Sequence, residues 1–149
     1  MSELTKFLVN AKKHSYASGN KAIKHDDGFE EFEYEEGEWK YRDRYHAKGP
    51  RPFGGEEVVW HKGEAVWMMN YYAWGISEDM DSEAVYGFLR KAMSLVSEER
   101  PFRGPSEFIE KDFKYLDESE GNVARFKGTE RIFFRGKEVY RLYYHGGAV

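Results

Sequence analysis

The chain has 149 residues with 23 basic and 27 acidic side chains and a formal charge of −4, so no overall positive field gathers phosphates and direct nucleic-acid binding is set aside. It contains no cysteine, which removes disulfides, thiolate metal ligands and cysteine nucleophiles together. The length suits one domain, 1–149, and no run approaches the ~20 apolar residues of a membrane span, so a soluble cytoplasmic protein without membrane contact is expected. Glutamine is absent and 34% of residues are charged, a bias shared with heat-adapted proteins.

Leu4, Phe7, Leu8 and Ala11 fall at i, i+3, i+4 and i+7, the apolar stripe of a surface helix, with Ser2 placed to cap its first turn. Residues 16–28, "YASGNKAIKHDDG", are polar and read as a mobile loop. "EWKYRDRYH" then sets Trp39, Tyr41, Asp43 and Tyr45 on one face and Lys40, Arg42, Arg44 and His46 on the other, the period of a half-buried strand. Glu36-Gly37 before it reads as a turn. "GPRPFGG" at 49–55 reads as a loop, because proline lacks an amide donor and fixes φ.

A hairpin turning at Lys62-Gly63 follows, since glycine takes the positive φ that a tight turn needs. A second helix carries Val85, Phe88, Leu89, Ala92, Met93 and Val96, capped by Asp81 or Ser82. "RPFRGP" at 100–105 reads as a loop, and a last hairpin turns at Arg135-Gly136. The order is helix, three or four strands, helix, three strands.

The two hairpins, "FGGEEVVWHKGEAVWMMNYYAW" at 53–74 and "FKGTERIFFRGKEVYRLYYHGG" at 126–147, align without gaps. Phe53/Phe126, Gly55/Gly128, Glu57/Glu130, Gly63/Gly136, Val66/Val139 and Tyr71/Tyr144 are identical. Upstream, "KYRD" at 40–43 matches "KYLD" at 114–117, and "FLVNA" at 7–11 matches "FLRKA" at 88–92. The expected fold is therefore α+β: an internally duplicated helix plus antiparallel-strand unit, with repeat halves at about 2–75 and 81–147 related by a pseudo-two-fold and helices packed on antiparallel sheet.

In the second strand of each hairpin, Ala65, Trp67, Met69 and Tyr71, matched by Glu138, Tyr140, Leu142 and Tyr144, form the face assigned to the core. The other face mixes aromatic and polar groups: Met68, Asn70, Tyr72 and Trp74, matched by Arg141, Tyr143 and His145. With two-residue loops, Glu57 lies opposite Met68 and Glu130 opposite Arg141, on this mixed face; a one-residue bulge reverses that placement. The nine residues from Glu57 to His145 named here as the mixed face are the ligand-binding candidates. Asp43 and Asp117, which sit among aromatics in both copies, are secondary candidates.

The histidines lack the spacing of a metal site, and no phosphate-binding loop or nucleophile turn occurs, so no metal, no cofactor and no catalytic residue is assigned.

"VWMMNYYAWG" at 66–75, "RPFRGP" and "FFRGKEVYRLYYHGG" at 133–147 resemble a small prokaryotic domain family of unknown function, found alone or C-terminal to helix-turn-helix domains. The likeness runs from about Leu4 to Gly147. In its fused form it implies a sensor or oligomerisation module beside a DNA reader; here the residues before the first hairpin supply one helix and leave no room for that reader. The leading expectation is a non-catalytic, sensor-like module binding a small aromatic or partly cationic molecule in an aromatic, partly acidic cleft. The alternative is a homodimeric structural or interaction domain, and an enzyme using Asp43, Asp117 or His145 ranks third.

Overall fold

The computed structural model describes residues 2–15 and 21–149; residues 16–20 of the polar segment, and the Ser2 side chain expected to cap the first helix, lie outside the described residues. Alternating patterns dominate the described residues and become nine strands there. These are β1 (Ile23–Lys24), β2 (Glu30–Glu36), β3 (Trp39–His46), β4 (Phe53–His61), β5 (Glu64–Ile76), β6 (Glu107–Glu110), β7 (Phe113–Asn122), β8 (Arg125–Phe134) and β9 (Lys137–Ala148). The two apolar stripes become α1 (Ser2–His14) and α2 (Ser82–Met93). Asp81 caps α2 by accepting from the Glu83 amide, satisfying one of the donors that a helix start leaves open.

All nine strands join in a single sheet of order β1-β2-β3-β4-β5-β9-β8-β7-β6, and every neighbouring pair is antiparallel. The seam is β5 against β9, with Asn70 opposite His145, Tyr71 opposite Tyr144 and Tyr72 opposite Tyr143. One face is covered. α1 lies over β2 and β3, α2 packs on β7, and Leu8, Ala11, Val85, Phe88 and Leu89 share one core with Val59, Trp67, Met69, Ile132 and Leu142. Burying a side chain such as Leu8 or Phe88 contributes roughly 1.5–3 kcal/mol.

This architecture corrects the expected α+β duplication. Strand accounts for 53% of the structure and helix for 17%, in one continuous sheet and not in two halves each with helices packed on its own sheet. The reason lies in β5 and β9, which at 13 and 12 residues pair with each other along the seam as well as with their own hairpin partners. The strand count also differs, because β1, β2 and β6 are short or glutamate-rich and carry weak alternation. Phe53-Gly54-Gly55, expected in a loop, begins β4.

The hairpin register is corrected as well. The turns do use two residues, Lys62-Gly63 and Arg135-Gly136, all four with positive φ. A bulge follows in each: Trp60 faces Ala65 but Val59 faces Trp67, and Phe133 faces Glu138 but Ile132 faces Tyr140. Val66 and Val139 are the extra residues. Glu57 therefore lies opposite Met69, not Met68, and Glu130 opposite Leu142, not Arg141. The bulge brings Val59 to the same face as Trp67, and Ile132 to that of Tyr140, so all four are buried. Burial of these large side chains carries the two glutamates inside with them.

Candidate functional site

Four carboxylates end up under the helices. In β3 and β4, Asp43 is the cross-strand partner of Glu57; in β7 and β8, Asp117 is the partner of Glu130. All four are buried. Carboxylates in such a place need donors, and both pairs receive tyrosine hydroxyls.

Around the first pair, Tyr71 donates to Asp43 Oδ1 at 2.6 Å and Tyr41 to Glu57 Oε1 at 2.7 Å. Lys12 of α1 donates to the same Glu57 oxygen at 2.7 Å and to the Phe102 carbonyl at 2.7 Å. Around the second, Tyr144 donates to Asp117 Oδ1 at 2.8 Å, while Glu130 accepts from Tyr115 at 2.5 Å and Tyr140 at 2.7 Å. Arg103, from the loop after α2, holds Glu130 through two bonds, Nε at 3.1 Å and Nη2 at 2.8 Å. Its guanidinium also lies 5.4 Å over the Tyr71 ring, so this one loop ties both clusters together.

Reach across the sheet depends on two glycines. Tyr71 is opposite Gly55, and Tyr144 is opposite Gly128; a β-carbon at either glycine would run into the tyrosine ring. Without one, each hydroxyl passes over the neighbouring strand to the aspartate beyond it.

The charges sort as follows. Burial works against the Arg103 cation, but Glu130 together with Tyr140 and Tyr115 outweighs it and holds it protonated. Burial lowers the Lys12 pKa, with Glu57 opposing. Burial, then the Glu57 charge, raises Asp43 to about 7; burial, then Glu130, raises Asp117 to about 7. Burial and the carboxylates hold Tyr41, Tyr71 and Tyr115 well above the usual phenol range, so they remain donors.

The two aspartates differ in what lies beside them. Arg100 Nη2 is 3.4 Å from Asp117 Oδ2 and donates to the Asp117 carbonyl at 2.9 Å. The Oδ2 contact is an ion pair without hydrogen-bond geometry, and that oxygen has no hydrogen-bond partner among the described residues. Asp43 has no lysine or arginine nitrogen in ion-pair range among the described residues. Instead it borders a cavity of about 210 Å³ with Arg103, walled by Tyr45, Phe53, Tyr71 and Tyr86. Tyr86 is pinned by its bond to the Gly49 carbonyl at 2.9 Å. Half-buried Glu30 and exposed Arg90 complete the lining with Ala47.

With this geometry, a comparison with family models becomes informative: the domain of unknown function DUF5680 matches residues 43–149. The chain belongs to the DUF5680 family. The matched span of the DUF5680 domain holds all four carboxylates, both glycines and Arg103, and leaves out Lys12. No curated protein and no solved structure matches.

The candidates named from the sequence divide between the two faces. Met68, Asn70, Tyr72, Trp74, Tyr143 and His145 gather on the open face around the β5/β9 seam, where Trp74 lies 5.5 Å from Tyr143 and 4.9 Å from the Arg141 guanidinium. Glu57 and Glu130 lie on the covered face with Asp43 and Asp117, so one cleft does not hold both sets. Lys12, Arg103, Tyr41 and Tyr115 were not singled out. Lys12 could have been found, because it continues the buried row Leu4, Leu8; Arg103 sits in an aperiodic loop that carries no such signal. Among the described residues no group of three or more His, Cys, Asp or Glu side chains could hold a metal, and no helix is long and apolar enough to cross a membrane.

Proposed function

We propose that this DUF5680 chain is a non-catalytic small-molecule-binding module whose ligand occupies the cavity beside Asp43. One observation carries the reading: buried polar groups, Asp43 and Arg103, border a space otherwise walled by aromatic rings. Ligand sites combine such walls with a few convergent polar groups. A volume of about 210 Å³ limits the occupant to about one ring with a short substituent.

Native mass spectrometry of the gently purified chain tests this, with Ala47→Trp as the filled-cavity control. The reading expects a small adduct, lost on denaturation and absent from Ala47→Trp. An adduct equally present in that variant places the ligand elsewhere.

A second reading, self-association through the open face, has its own support. Tyr72, Trp74 and Tyr143 are 53%, 55% and 40% exposed around the seam, and exposed aromatic groups of this kind are common at interfaces. Sedimentation of wild type and Trp74→Ala separates the outcomes: a dimer that Trp74→Ala dissociates supports it, and a monomer at high concentration removes it.

A further inference from the structure

We infer that the cavity beside Asp43 selects a small organic cation, an ammonium group carried on an aromatic or compact apolar body. This rests on the small-molecule reading above and specifies its chemistry. Arg103 is committed to Glu130 by two hydrogen bonds, and Lys12 to Glu57 by one. Asp43 is left with the Tyr71 hydroxyl as its hydrogen-bond partner and no cation of its own among the described residues.

The equivalent aspartate shows what belongs there. Asp117 has Arg100 3.4 Å from its Oδ2, so in that cluster the chain supplies the cation. Asp43 instead borders open space lined by Tyr45, Tyr71, Tyr86 and Phe53. Aromatic faces attract cations, most strongly where water is excluded. Glu30 adds a second negative group to the lining, while the positive charge of Arg90 stands in solvent and is screened. An anion would find only the Nη1 edge of Arg103 uncommitted, since Glu130 takes Nε and Nη2, and it would face the Asp43 and Glu30 carboxylates in the same lining.

Proton release follows. The charged groups facing Asp43 are Glu57 from β4, Lys12 from α1 and Arg103 from the loop after α2, with Tyr41 and Tyr71 as neutral donors and Glu30 and Arg90 farther out along the cavity. Burial and Glu57 keep Asp43 protonated up to about pH 7. An ammonium ion binds best to the ionised form, so below that pH each bound cation displaces one proton.

Benzylamine, benzoate and benzyl alcohol serve as cationic, anionic and neutral probes of one shape, titrated calorimetrically into the full chain. Benzylamine is expected to bind, with affinity rising about tenfold per pH unit below 7 and levelling above it. The wild-type heats should vary with the ionisation enthalpy of the buffer, which reports the released proton without any variant. Asp43→Asn should lose at least tenfold in affinity and the pH dependence, while Asp117→Asn keeps both. Preferential binding of benzoate or benzyl alcohol overturns the cation assignment and leaves the small-molecule reading standing. Equal losses in Asp43→Asn and Asp117→Asn also overturn it, since a general loosening of the core then explains the effect. No binding by any probe, together with no adduct on the native protein, removes both readings.

Discussion

The Tyr71 hydroxyl meets Asp43 two strands away, donating to Oδ1 at 2.6 Å over the gap left by Gly55 on the strand between them. Tyr144 and Asp117 repeat the relationship over Gly128. Gly128→Ala is the cleaner test, since the nearest atoms to an added β-carbon all belong to the Tyr144 ring, whereas at Gly55 the Arg44 carbonyl is also close. Gly128→Ala is expected to cost about 1–3 kcal/mol in urea unfolding. Most of that cost should vanish in a Tyr144→Ala background, and an undiminished cost there would assign the clash to the backbone.

Stability should depend on pH through the two aspartates. Folded Asp43 keeps its proton up to about 7, whereas the unfolded chain releases it near ~4. The folded state therefore binds more protons between these values, and the contribution present below ~4 is lost as pH rises through about 7. Asparagine can still accept from Tyr71 and never ionises. Asp43→Asn should flatten this slope and stabilise the chain above pH 7 by an amount on the order of 2 kcal/mol, read from urea midpoints across the range. An unchanged slope would place the titration on other groups.

Glu57 and Glu130 should answer differently to the same substitution. Glu130→Gln leaves a buried guanidinium that cannot shed its proton, with an expected cost of about 3–5 kcal/mol. Glu57→Gln leaves Lys12, whose pKa burial already lowers, so the amine can neutralise and the cost should be smaller. The difference should narrow below neutral pH, where neutralising Lys12 becomes harder and the Glu57→Gln cost rises. Equal costs at every pH would show that Lys12 stays charged without its partner.

At the hairpin tips, Lys62 has φ 53° and is followed by Gly63 at φ 83°, the pattern of a two-residue turn that favours Asn-Gly. Lys62 is exposed and its nearest acid, Glu38, is 3.8 Å away and also exposed, so little is lost with it. Lys62→Asn should raise the unfolding free energy by about 0.5 kcal/mol, and a lower thermal midpoint would contradict it.

Periodicity made α1, α2, β3 and the two hairpins legible, because one apolar stripe or one alternating face is a local signal. Tyr71, Trp67, Tyr140 and Leu142 were placed in the core from that signal, and they are buried. The sheet's continuity was not legible, since pairing of β5 with β9 joins distant segments without any local mark. The site turned on a single residue of register: the bulges at Val66 and Val139 move Glu57 and Glu130 from the open face to the covered one. Asp43 and Asp117 needed no such correction, for β3 and β7 follow plain alternation. Arg103 became visible only when the fold carried its loop over both clusters.

The position of β9 in the sheet bears on how the chain is made. β9 fills a central slot, pairing Trp67 with Ala148 and Asn70 with His145, partners 75 or more residues apart. Hairpins close within microseconds, but contacts this remote wait on a costly loop closure, which favours folding in milliseconds to seconds. Until β9 has been synthesised, β5 presents a 13-residue unpaired edge rich in aromatic side chains, so the nascent chain is at its stickiest just before its sheet closes.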